Sequence, residues 1–161
     1  MTTNALPVAR RPLTPARAVL FGTLTVGTLD ILDAFIFFGR LGASPTRILQ
    51  SIASGLLGRA SFQGGAPTAA LGLVLHYFIA FVIVAVYIFA SRRLPALARY
   101  PWVFGPLYGL VAYAVMNFVV LPLSAAASST PAGPVLINGL LIHALGVGLP
   151  SALFARAARP A

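Results

Sequence analysis

Four apolar stretches constrain this chain more than any other feature. They run from about Ala18 to Phe38, Pro67 to Ala90, Pro101 to Leu121 and Val135 to Ala155. Each reaches or exceeds the ~20 residues that carry a helix across a ~30 Å hydrocarbon core. None alternates apolar and polar residues as the strands of a membrane barrel do. A soluble domain would need polar faces to show to water. With 59% hydrophobic and 8% charged residues, the sequence cannot supply them. The expected fold is an all-α integral membrane protein of four transmembrane helices.

The charges set an expected orientation. The net charge of +9 comes from arginine alone, as there is no lysine. Arg10, Arg11 and Arg17 precede the first span, Arg92, Arg93 and Arg99 lie between the second and third, and Arg156 and Arg159 follow the fourth. Arg40, Arg47 and Arg59 fall on the opposite side. That excess puts both the N- and C-termini in the cytoplasm. The arginines flank apolar runs and form no basic face with interleaved aromatics, so the expected partner is the lipid bilayer and no nucleic acid. No cysteine is present, which removes disulfides, thiolate metal sites and redox thiols. Residues 1–17 read as a flexible cytoplasmic tail and 156–161 as a second tail. The first span is kept as a helix rather than a cleaved leader, because it carries two aspartates and lacks a small-residue exit site.

The first outer loop, Gly39 to Ala66, is too long for a simple turn. In "SPTRILQSIASGLLGR", Ser44 is a candidate N-cap with Pro45 at the first helical position. Ile48, Leu49, Ile52, Leu56 and Leu57 share one face, and Arg47, Gln50, Ser51 and Ser54 another. An amphipathic helix over about 45–60 follows, acting as a lid on the bundle or as a plain surface helix. Gly64–Gly65 supplies the turn into the second span.

The only acidic residues in the chain, Asp30 and Asp33, both lie inside the first span. At ~1.5 Å of rise per residue they sit ~12 and ~8 Å below its outer end, with His76 ~13 Å, His143 ~12 Å and Asn117 ~6 Å below theirs. Each lies on or beside a stripe of small residues at helical spacing: Thr23–Gly27–Asp30–Ala34, Ala69–Gly72–His76–Ala80, Gly105–Gly109–Tyr113–Asn117 and Gly139–His143–Gly146–Pro150. Such stripes mark helix–helix contacts, while Phe78, Phe81 and Val82 on the opposite face suit lipid. Asp30, Asp33, His76, Asn117 and His143 therefore form a candidate intramembrane polar site in the outer half of the bundle. The carboxylates either take up protons or pair with a histidine or with Arg40.

Several uses fit such a site. Small-solute or proton-coupled transport follows from ionisable residues in lipid, with Pro122 and Pro150 permitting helix adjustment. A divalent metal could be held by His76, His143 and Asp30, or a haem by the two histidines. A structural or assembly subunit with no catalytic role is the third, its polar residues serving as interhelical glue. A four-span carrier would work as a homo-oligomer. No catalytic residue is nominated, because no phosphate loop and no nucleophile with its base appear.

The motifs "GTLDILDAFIFFG", "QSIASGLLGRASFQGG", "LGLVLHYFIAF", "YGLVAYAVMNFVVLPLSA" and "LIHALGVGLPSALF" resemble an uncharacterised family of small four-span bacterial inner-membrane proteins. The resemblance covers Leu20 to Ala155. It implies the four-span fold and a multi-pass place in the bacterial inner (cytoplasmic) membrane, and it carries over no substrate, cofactor or site residue.

Overall fold

The computed structural model of the chain describes residues 12–127 and 130–159, and every regular element among them is helical. In chain order these are α1 (Pro15–Arg40), α2 (Pro45–Leu57), a 3₁₀ segment (Gly58–Gln63), α3 (Gly65–Arg93), α4 (Pro95–Arg99), α5 (Pro101–Leu123) and α6 (Gly133–Ala157). Helices α1, α3, α5 and α6 are long and apolar enough to cross a membrane. Arg10, Arg11 and most of the expected N-terminal tail lie outside the described residues.

Each long helix extends past its apolar stretch, and side-chain caps open α1 and α2. Thr14 accepts a hydrogen bond from the Arg17 amide at 3.3 Å, with Pro15 in the first turn. Ser44 does the same for Arg47 at 3.2 Å, ahead of Pro45. A side-chain oxygen at these positions satisfies an amide that has no partner within the helix. Arg40, Arg92 and Arg93 fill the last turns of α1 and α3, where a cation meets the negative end of the helix dipole.

Apolar side chains fill the end of the bundle that carries both termini. Val26, Val84, Tyr87, Ile88, Val147 and Ala152 form its buried centre. Two tyrosines reach backbone carbonyls there, Tyr87 donating to Leu97 at 2.9 Å and Tyr108 to Ile83 at 2.7 Å. The Leu13 amide donates to the Ala157 carbonyl and Arg159 donates to Pro95, each at 2.9 Å, which ties the termini to the α3–α4 corner. The outer surface is apolar all round: Phe78 and Trp102 are 59% and 67% exposed, as suits side chains in contact with lipid.

At the opposite end α2 packs along the first turns of α3. Gln50 donates to the Gly65 carbonyl at 3.1 Å, and Thr68 donates to the Ser61 carbonyl at 2.7 Å. Gly72 has no room for a methyl group, because a Cβ there would strike the Leu49 carbonyl. The α-helix stops at Gly58, whose φ of 58° is open to glycine at little cost. A Cβ on Gly109 would strike the His143 carbonyl, and one on Gly148 the Gly105 carbonyl. Helices α5 and α6 thus meet backbone to backbone along a seam of glycines.

Both partners in that seam contain a widened π turn, Met116–Val120 in α5 and His143–Gly148 in α6. Each ends two residues before a proline, Pro122 or Pro150. A proline ring clashes with the carbonyl four residues back and gives it no donor. Widening the preceding turn relieves that clash while keeping the helix continuous.

Candidate functional site

A cavity of about 710 Å³ lies between α1, α3, α5 and α6, on the α2 side of the apolar centre. Its volume is that of a small-molecule site. Asp30, Asp33, His76, Asn117 and His143 all line it. Further polar side chains do so as well, among them Asn138 from α6, Arg47 from α2 and Arg59 from the 3₁₀ segment. The remaining wall is mainly apolar, with Ile79, Ile83, Met116 and Val147 among its residues.

His76 is the most constrained of these groups. It is buried, and its Nε2 lies 2.7 Å from the Gly27 carbonyl. Only a donor can meet a carbonyl at that distance, so Nε2 carries a proton. Nδ1 is left facing the cavity, 3.9 Å from Asp30 Oδ2. The close approach of α1 and α3 depends on Gly27, where a Cβ would stand 2.6 Å from the Tyr77 ring. The Tyr77 hydroxyl shares a 2.9 Å hydrogen bond with Thr28 one residue further on.

Asp33 is held differently. Its Oδ2 accepts a 2.7 Å hydrogen bond from Asn138 Nδ2, a link from α1 to α6. Arg40 does not pair with it; among the described residues the sole contact between an acid and a base is Asp30 with His76. Asn138 stands one residue before the Gly139–His143 stripe of α6 and lines the cavity with it. The cavity is broad enough to take both faces of α6.

The other two expected residues spend part of their bonding capacity within their own helices. Asn117 donates to the Tyr113 carbonyl at 2.9 Å and keeps its amide oxygen free. His143 Nδ1 stands 3.0 Å from the Gly139 carbonyl, which leaves Nε2 as its unprotonated nitrogen when neutral. The Tyr113 ring packs edge-on against the imidazole, with centroids 5.1 Å apart. The Tyr113 hydroxyl and the Thr23 hydroxyl are buried with no partner among the described residues.

The arginines close the site from the α2 side. Arg47 lies over the Phe62 ring, 4.0 Å from its centroid, so an aromatic face holds the guanidinium beside the cavity. Arg59 follows Gly58 at the end of α2. Neither meets a carboxylate among the described residues.

His76, His143 and Asp30 do not assemble into a metal shell. No group of three or more His, Cys, Asp or Glu side chains stands at ligating distance among the described residues. The Nε2 of His76 is engaged by the Gly27 carbonyl and is not free to ligate an iron.

No family model matches the chain, and no curated protein or solved structure is significantly similar to it.

Proposed function

We propose that this chain is a proton-coupled carrier of a small solute in the bacterial inner membrane, with both termini in the cytoplasm and the cavity in the outer half of the bundle. The observation that carries the reading is the Asp30–His76 pair. The Gly27 carbonyl fixes one proton on Nε2, so the only nitrogen free to gain or lose one is Nδ1, which faces Asp30 Oδ2. One proton can then reside on either partner, leaving a neutral acid beside a neutral imidazole or an ion pair. At 3.9 Å transfer needs a small rotation of Asp30 or one bridging water. Asp33 lies on the same face of α1 and adds a second carboxylate to the cavity.

Ionisable groups placed this deep in lipid are costly, roughly 2.5–3.5 kcal/mol for a charge at a helix centre on insertion scales. Their meeting in one cavity favours a use beyond packing. The π turns beside Asn117 and His143 place adjustable backbone where helices would have to yield as a solute passes.

The test is proton movement in proteoliposomes loaded with a pH-sensitive dye and challenged with small organic anions, cations and zwitterions. One class is expected to drive proton movement that the Asp30→Asn variant abolishes while remaining monodisperse in detergent. If no solute moves protons, or the variant moves them as well as the native chain, the carrier reading fails.

A further inference from the structure

The cavity has two charged zones of opposite sign, and their arrangement specifies a ligand. On the α2 side stand Arg47 and Arg59, with no carboxylate partner among the described residues. Deeper in, on α1, stand Asp30 and Asp33. The rest of the wall is mainly apolar, with Ile48 and Ile52 of α2 and Ile79 of α3 among its residues.

A ligand carrying only negative charge would meet the arginines well and the aspartates badly. A ligand carrying only positive charge would meet the reverse. We propose, building on the carrier reading above, that the cavity takes a zwitterion: an acid group held by Arg47 and Arg59, joined through a short apolar spacer to an amine held by Asp30 and Asp33.

Each end would be a charge-assisted contact, made by exposed arginines at the acid end and by half-buried carboxylates at the amine end. Arg47 is prepared for its role by the Phe62 ring, which limits its rotamers before any ligand arrives. Asn138 orients the Asp33 carboxylate from the opposite wall while leaving its second oxygen available. The same acid–spacer–amine chemistry occurs in ω-amino acids and in the phosphate–ammonium headgroup of a phospholipid.

A matched set of probes separates the ends: 6-aminohexanoate, hexanoate and hexylammonium share nearly the same hydrocarbon and differ in charge. Binding to the full-length protein in mild detergent would be measured by titration calorimetry. 6-Aminohexanoate is expected to bind at least about tenfold more tightly than either singly charged probe. The Arg47→Gln, Arg59→Gln double variant should bring its affinity down to that of hexylammonium. Asp33→Asn should bring it toward that of hexanoate.

Phosphatidylethanolamine supplied in mixed micelles gives the lipid-borne arm. Competition with 6-aminohexanoate at lower concentration than free phosphoethanolamine would assign the site to a lipid headgroup, and the reverse order to a free solute. Equal affinity for hexylammonium and 6-aminohexanoate, unchanged in the arginine variant, would overturn the zwitterion assignment, as would failure of all three probes to bind. The carrier reading would stand or fall separately, on proton movement in proteoliposomes.

Discussion

At the scale of single residues, glycines and buried hydroxyls make the sharpest statements. A methyl group at Gly72 or Gly109 would meet backbone carbonyl oxygen, which cannot swing aside as a flexible side chain can. Gly109→Ala is expected to cost about 1–3 kcal/mol and to lower the thermal midpoint in detergent. Gly39→Ala, with nothing within 4 Å of the new atom, should be neutral or slightly stabilising, and a drop at both sites would show that the α5–α6 seam is not special. Tyr113→Phe removes a buried hydroxyl that lacks a partner, so the variant should unfold at the same or a higher temperature. Asp30, Asp33, His76, Asn117 and His143, which a count of rise along four spans sets at similar depths, all line one cavity. Partnership was not legible in that count. That Asp33 turns to Asn138 rather than Arg40 depends on the rotation of α6, which no count along α1 contains.

At the scale of elements, the stripes of small residues read from the sequence became real contact faces in α1 and α3, where helical phase runs unbroken. Ala69, Gly72, His76 and Ala80 are all buried. In α6 the regular spacing placed Gly146 and Pro150 on the contact face and missed Gly148, where a Cβ would strike the Gly105 carbonyl of α5. The cause is the π turn: an added residue per turn rotates everything after His143, so a fixed 3.6-residue period loses its phase. Pro150 was visible as a helix perturbation, but a proline can kink a helix, end it or widen the turn before it, and packing against Gly105 and Gly109 selects among these. Replacing Pro150 with alanine restores a backbone donor and removes the ring. Amides over 147–151 should then exchange more slowly in hydrogen–deuterium exchange, as the segment tightens to ordinary α geometry. Unchanged exchange would mean that the glycine seam, not the proline, holds the turn open.

At the scale of the molecule, the four apolar helices were plain from length and composition, and the structure has those four. What composition could not reveal is the uneven filling of the bundle: packed with Val26, Val84, Tyr87 and Ile88 at the end with the termini, hollow at the other. The Asp33–Asn138 bond crosses the hollow part. Asn138→Ala should broaden the distance distribution between spin labels at Leu56 and Leu123, both exposed, in a chain whose lack of cysteine allows clean labelling. An unaltered distribution would leave the bond with no part in holding the cavity shut. The glycine seam locks α5 to α6, and the His76–Gly27 and Gln50–Gly65 contacts bind α1, α2 and α3 into a second unit. The two units share the filled end and are joined in sequence only by α4, a single short helix with proline on either side. They are arranged like a pair of tongs, joined at the apolar centre and parted at the cavity.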